Sequence, residues 1–197
     1  VHPNANITRG EVSMIFYRLL ADNVRAANSG SRAPYGDVAS NAWYADAVAT
    51  LSRMGILKGY EDGTFKPDAA VTRAEFATIA SRFDKLATGT KTFKDVPASH
   101  WAYAAISSAA EKGWVSGYED GTFRPDRAIT RAEVAKLTNA VLNRSCDKNY
   151  VDTNKASIKN FTDLPTSFWG YYEIMEAANA HDYNNNGSLE TWTGLSK

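Results

Sequence analysis

The feature of this 197-residue chain that most limits its fold is an internal repeat. The loop sequence G-Y-E-D-G-T-F-x-P occupies residues 59–67 and returns at residues 117–125, 58 positions later, and a T-R-A-E tetrad follows each copy. Self-similarity at a fixed period is typical of repeat proteins. A unit of this length, with two predicted helices, is too small to cover its own apolar faces. The units are therefore expected to pack on one another.

Both ends of the chain carry half-units. Pro3 and residues 7–11 correspond to the back half of a unit, whereas residues 161–169 correspond to a front half with no T-R-x-E after it. Three front halves and three back halves predict a closed, roughly three-fold array in which the last half-unit pairs with the first. The predicted segments are a back half-unit, two full units, and a front half-unit that closes the array with a tail, at 1–30, 31–88, 89–149 and 150–197.

Composition excludes several classes of function. The chain has 22 basic and 22 acidic residues, so a general attraction to nucleic acid or to an anionic membrane is not expected. No apolar run approaches the roughly 20 residues that span a bilayer, so membrane insertion is not expected either. Cys146 is the only cysteine, which excludes an intramolecular disulfide framework. Because Val1 falls in mid-repeat, we interpret the chain as a piece of something longer. No cofactor is predicted.

Each back half begins with a strong helix-start signal. A threonine followed three residues later by a glutamate forms a capping box, in which each side chain bonds the other residue's backbone N–H. The three pairs are Thr8 with Glu11, Thr72 with Glu75, and Thr130 with Glu133. Apolar residues then recur at helical spacing, as they also do in the front halves, where the stripe includes Trp43, Trp101 and Trp169. The pattern predicts paired helices with buried tryptophans, and Gly55 and Gly113 are predicted to end the front-half helices.

These units resemble the S-layer homology family. The third unit carries F-x-D-V at residues 93–96, H-W-A at 100–102, the G-Y-x-D-G-T-F-x-P loop and I-T-R-A-E at 129–133, and the second unit is nearly as close. The resemblance implies a mainly α protein, a pseudo-three-fold array of helix–loop–helix repeats shaped as a three-pronged spindle with a central helical bundle. It also implies a secreted, non-catalytic carbohydrate-binding module at the surface of a cell with a Gram-positive-type envelope. Such modules hold S-layer proteins, surface enzymes or adhesins to secondary cell-wall polymers, which are peptidoglycan-linked glycans that often carry pyruvate ketals.

The resemblance also implies that ligands bind in grooves between units and contact the T-R-A-E arginine. An arginine fork can hold a carboxylate through two hydrogen bonds, and the free N–H groups at a helix start favour an anion. Aromatic rings can pack on sugar faces, and loop carboxylates can accept bonds from sugar hydroxyls. The predicted ligand residues are Arg9, Arg73, Arg131, Thr72, Thr130, Gly59, Tyr60, Asp62, Gly63, Gly117, Tyr118, Asp120, Gly121, Trp43 and Trp101.

Each element of this site has a structural alternative. The threonines and glutamates can serve only as caps, the tryptophans as core residues, and the Asp-Gly pairs as turns. An arginine at a helix start opposes the helix dipole and gains little there. Its repetition at all three positions favours a ligand role, with a buried salt bridge between units as the alternative. An alanine substitution that weakens binding and leaves the melting temperature unchanged indicates a ligand role, whereas a large drop in melting temperature indicates a buried salt bridge.

Other functional alternatives remain at this point. The chain can be an assembly module that contacts a partner S-layer subunit, or an enzyme on wall glycan if two carboxylates meet in space. It is expected to be a monomer, with exchange of half-units between two molecules as the alternative. Near the end of the chain, Asp182, Asn184 and Asn186 match the opening of an EF-hand loop, but Thr193 stands where its bidentate glutamate belongs. An Asn-rich hairpin is therefore favoured over a calcium site.

Overall fold

The computed structural model describes residues 1–30, 32–87, 89–185, 187 and 189–196, and within them the protein is mainly α-helical, as predicted. It contains helices α1 (Arg9–Leu19), α2 (Asp22–Ala27), α3 (Ala45–Arg53), α4 (Arg73–Ser81), α5 (Tyr103–Glu111), α6 (Arg131–Val141), α7 (Lys148–Thr153) and α8 (Tyr171–Ala178). Strands β1 (His181–Asn185) and β2 (Glu190–Leu195) form an antiparallel hairpin. None of the helices in these ranges has the length and hydropathy required to cross a bilayer.

The structure confirms the predicted starts of the back-half helices and the predicted ends of the front-half helices. At the start of α1, the Thr8 hydroxyl accepts from Glu11 N at 3.2 Å, while Thr8 N donates to the Glu11 carboxylate at 2.9 Å. Helices α4 and α6 begin with the same reciprocal pair of bonds. After α3 and α5, Gly55 and Gly113 both take a φ of 73°, the left-handed conformation in which glycine ends a helix at low cost.

The helices pair in a fixed order along the chain. Helix α3 packs on α1, α5 packs on α4, and α8 packs on α6, so each back half pairs with the front half that follows it. The principal partner of α8 is α6, and the pairing of the last half-unit with the first stays a prediction. The two ends nevertheless meet, because the Val1 ammonium contacts Asp163 at 2.7 Å and the Val1 carbonyl accepts from Arg131 Nε at 3.0 Å.

A closed ring of backbone hydrogen bonds joins the segments that precede α1, α4 and α6. Val71 N donates to Ile7 O at 3.0 Å, Ile129 N donates to Val71 O at 2.9 Å, and Ile7 N donates to Ile129 O at 3.2 Å. All three side chains are buried. The three back halves therefore share one contact region, while the three-pronged spindle shape remains a prediction.

The back-half helices bury most of their predicted apolar stripes. Phe16 of α1 lies 5.4 Å from Phe76 of α4, measured between ring centroids, and Val134 and Leu137 of α6 belong to the same core. Leu19 is the exception, with 41% of its surface exposed at the end of α1. Burial of these aromatic and aliphatic side chains supplies the main stabilising free energy of the repeat.

The Asn-rich tail forms the predicted hairpin. Asn184 pairs with Thr191 across the two strands, and Asp182 accepts a hydrogen bond from the Ser196 hydroxyl at 3.0 Å. The third residue of the calcium candidate, Asn186, lies outside the described residues. The hairpin prediction is confirmed, and the calcium alternative remains untested.

Candidate anion-binding grooves

Two equivalent grooves of about 130 and 140 Å³ lie between successive units. Each is formed by a T-R-x-E arginine from one unit, the G-Y loop and back-half helix of the next unit, and a tryptophan from the unit after that. Groove A is lined by Arg9, Leu57, Lys58, Gly59, Tyr60, Glu75, Thr78, Ile79, Arg82 and Trp101. Groove B is lined by Arg73, Trp114, Val115, Ser116, Gly117, Tyr118, Ile129, Glu133, Lys136, Leu137 and Trp169.

The arginine of groove A is held mainly by the protein itself. Arg9 donates from Nε to Phe65 O at 2.7 Å and from Nη2 to Lys58 O at 2.9 Å. Its Nη1 lies 3.3 Å from the Glu75 carboxylate, and only 7% of its side chain is exposed. Three of the five guanidinium N–H groups therefore have internal acceptors.

Arg73 repeats this arrangement in groove B. It donates to Phe123 O at 2.8 Å and to Ser116 O at 2.9 Å, and it pairs with Glu133 at 3.3 Å. Burial lowers the pKa of Arg73 from its ordinary value, although the nearby Tyr118 and Glu133 oppose that shift. The salt-bridge alternative thus describes what these two arginines do in the structure, and their role as ligand residues remains a prediction.

Arg131 has a more open environment. Its Nη1 contacts Glu11 at 2.6 Å, but 35% of its side chain is exposed. It borders a cavity of about 700 Å³ between α1, α6 and α8, which Arg18, Ile15 and Leu19 also line. Among the described residues, no G-Y loop crosses this cavity as one crosses grooves A and B. The sequence accounts for this difference, because neither half-unit at the ends of the chain carries the G-Y-x-D-G loop.

The glycines of the G-Y loops allow a close approach of two chain segments. A Cβ atom built on Gly59 lies 2.3 Å from the Tyr35 ring and 2.6 Å from Thr64 O, and Gly117 is confined in the same way. The neighbouring Tyr60 donates from its hydroxyl to Glu75 at 3.2 Å. Gly59 and Tyr60 line groove A, and Gly117 and Tyr118 line groove B, while their role as ligand residues stays a prediction.

The loop aspartates serve the turns and do not line either groove. Asp62 accepts from the backbone N–H and the hydroxyl of Thr64, and these bonds lower its pKa to about 2; Asp120 has the same pKa and the same bonds to Thr122. Gly63 and Gly121 take φ values of 76° and 79° in the same turns. Thr72 and Thr130 act as helix caps and line neither groove.

The predicted burial of the tryptophans is wrong. Trp43, Trp101 and Trp169 are 60%, 64% and 56% exposed. Each lies two residues before the first residue of its helix, α3, α5 or α8, so the helical periodicity that suggested burial does not apply to it. Trp101 lines groove A and Trp169 lines groove B, whereas Trp43 lines neither.

Sequence reasoning missed three basic residues in the grooves and one buried ionic cluster. Lys136 lines groove B, Lys58 and Arg82 line groove A, and none of them belongs to the repeated motif that drew attention to the arginines. Helical spacing could have located two of them. Lys136 lies three residues after Glu133 in α6, about one turn further on, and Arg82 lies seven residues after Glu75, about two turns further on and directly after α4.

The ionic cluster fastens the hairpin to the helices. Arg144 contacts Glu190 at 2.6 Å and Glu176 at 3.0 Å, and His181 stacks on Trp192 with ring centroids 3.6 Å apart. The ligand atoms of Glu176, His181 and Glu190 lie within 4.8 Å of one another, a spacing suitable for a metal, but the Arg144 guanidinium already supplies a positive charge among them. Burial raises the pKa of Glu176, and the nearby positive groups of His181 and Arg144 oppose this rise.

The fold and the two grooves define a helical tandem-repeat module, and comparison with known proteins identifies its family. Residues 34–77 and 92–135 match the model of the S-layer homology domain. A cellulosome-anchoring protein of Acetivibrio thermocellus is 37% identical over 188 residues, and cell surface glycoprotein 1 of the same organism is 40% identical over 195 residues; each match covers 92% of this chain. A surface-layer 125 kDa protein of Lysinibacillus sphaericus is 39% identical over 93 residues, or 47% of this chain and 8% of the relative.

The chain belongs to the S-layer homology family. It is accordingly a non-catalytic anchoring module located outside the cell, at the cell surface. The chain spans 40% of the length of the cellulosome-anchoring protein and 8% of that of the cell surface glycoprotein.

Proposed function

We propose that this module tethers a larger surface protein to an anionic, pyruvylated secondary cell-wall polymer held in grooves A and B. The observation that carries the proposal is the repetition of one groove, which is lined by an exposed tryptophan, basic side chains and a G-Y loop. The face of an indole ring packs well on a sugar ring, and a cation beside it suits a carboxylate. The relative named as a cellulosome-anchoring protein supports an anchoring role.

The arrangement of the units supports binding to a polymer. We propose that the predicted segments 1–30, 31–88, 89–149 and 150–197 act as half-units and units of a pseudo-three-fold spindle, with the ring of bonds among Ile7, Val71 and Ile129 at its centre. Two grooves on one body can engage two sites of the same repetitive glycan. The second contact is then intramolecular, so the apparent affinity rises without any new type of contact.

Calorimetric titration with purified wall glycan tests the proposal. The intact glycan is compared with the same glycan after mild acid removal of its ketals. The proposal predicts binding to the intact glycan and a loss of at least about tenfold in affinity after removal, the expected scale for one charge-assisted contact. Equal affinity for both preparations contradicts recognition of the carboxylate. No binding to either preparation favours the alternative of a protein–protein assembly module.

A further inference from the structure

We infer that the carboxylate of the ligand is bound in each groove by a second cation, Lys136 in groove B and Arg82 in groove A, and not by the T-R-A-E arginine. The inference rests on the proposed function, since it names the residues that recognise the anionic group. It also predicts that the two grooves hold this group at different positions along the helix.

The T-R-A-E arginines are poorly placed to receive a ligand. Arg9 and Arg73 each direct three N–H groups at internal acceptors, and their side chains are only 7% and 10% exposed. A ligand that drew either guanidinium outward would break its ion pair with a glutamate and would leave two carbonyl groups without their donor. Leaving buried acceptors unpaired costs more than one new contact returns.

Lys136 is exposed and its ammonium can bind a ligand, whereas the Arg73 guanidinium is buried and already paired. Lys136 lies on the exposed face of α6, and its ammonium sits 5.9 Å from the centroid of the Trp169 ring. Among the described residues it has no ion pair, although it lines groove B together with that tryptophan. A free ammonium beside an exposed indole ring is suited to a sugar that carries a carboxylate.

Groove A places its candidate cation at a different position along the helix. The counterpart of Lys136, 58 residues earlier, is Thr78, whose hydroxyl is bonded to Ala74 O at 2.8 Å. Groove A is lined by two further basic residues, the exposed Lys58 and Arg82, which directly follows α4. Arg82 is the one that continues the line of the helix beyond Thr78; it donates one bond from Nη1 to Ile56 O at 2.6 Å and has further N–H groups for a ligand. Four residues along a helix correspond to about 6 Å. The two grooves therefore place their cations about one helical turn apart.

The tryptophans allow each groove to be observed separately. Trp101 lines groove A, Trp169 lines groove B, and Trp43 lies outside both. In ¹⁵N-labelled full chain, the indole N–H signals are followed while a disaccharide bearing one pyruvate ketal is added. The wild-type chain is expected to shift the Trp101 and Trp169 signals and to leave Trp43 unchanged.

Variants of the two cations then test the inference. Lys136→Met is expected to weaken the titration seen at Trp169 by tenfold or more and to leave that at Trp101 unchanged, whereas Arg82→Met does the reverse. Lys148→Met is the matched control, because Lys148 is also exposed and lies 5.2 Å from the Tyr172 ring, but it borders neither groove. This control should change neither titration. Thr78→Lys in the Arg82→Met background is expected to restore binding at Trp101.

The outcomes separate the inference from the proposed function. If Lys136→Met and Arg82→Met bind the disaccharide as the wild type does, the ligand is bound by other residues and the inference is wrong. If the wild-type chain shows no shift at Trp101 or Trp169 with the pyruvylated sugar, the proposed function fails, and the inference fails with it. Thermal unfolding of each variant shows whether a lost signal reflects lost fold.

Discussion

Replacing Arg73 with methionine should destabilise the module substantially. The side chain is 10% exposed and donates to the carbonyls of Phe123 and Ser116, both of which lose their donor in the variant. Each unpaired buried acceptor costs about 1–3 kcal/mol. Glu133 keeps a second partner in Arg127, so the ionic part of the loss is small. The expected total is about 3 kcal/mol of unfolding free energy.

Urea unfolding at neutral pH, monitored by tryptophan fluorescence, measures this loss. For a domain of this size, about 3 kcal/mol corresponds to a melting temperature lower by roughly 6–12 °C. Arg131→Met is the matched control, because Arg131 occupies the equivalent position with 35% of its side chain exposed, and its expected loss is about 1 kcal/mol. If Arg73→Met unfolds within about 0.5 kcal/mol of the wild type, the side chain is not the structural clamp described above, and its role as a ligand residue regains support.

Three further perturbations test other parts of the structure. Gly59→Ala should cost about 1–3 kcal/mol, because the new methyl group meets an aromatic ring and a carbonyl, whereas Gly36→Ala, with nothing within 4 Å of its Cβ, should be near neutral in the same thermal melts. Thr130→Ala should lower the unfolding free energy by about 1 kcal/mol through loss of the α6 cap, and Thr130→Ser should restore most of it. Asp62 and Asp120 have pKa values of about 2, below the ordinary 3.8, so their contribution to stability is complete above about pH 4 and is lost as the pH falls towards 2. The urea midpoint of Asp62→Asn should therefore fall less steeply across that interval than that of the wild type, and an identical slope would show that the turn carboxylate does not contribute.

Local features of the fold were readable from the sequence because their causes span only a few residues. A threonine and a glutamate three positions apart satisfy each other's backbone partners wherever the chain is helical, so the starts of α1, α4 and α6 were predicted correctly. The same holds for Gly55 and Gly113, whose left-handed conformation ends a helix locally.

Features that depend on residues far apart in the chain could not be predicted from the sequence. The tryptophans were assigned to helical stripes, but each precedes its helix, so periodicity gave the wrong environment for Trp101 and Trp169. The cluster of Arg144, Glu176 and Glu190 joins residues up to 46 positions apart that share no motif, so no pattern in the sequence indicated it. The partner of α8 likewise depends on packing between units.

Co-sedimentation of the module with protein-free wall sacculi tests the anchoring role most directly. Sacculi that retain their secondary polymer are compared with sacculi from which the polymer has been chemically extracted, and a Lys136→Met, Arg82→Met double variant is run beside the wild type. The module should sediment with the intact sacculi, remain in solution with the extracted ones, and lose most of its binding in the double variant. Equal sedimentation with both preparations would contradict an anchor that recognises the anionic wall glycan.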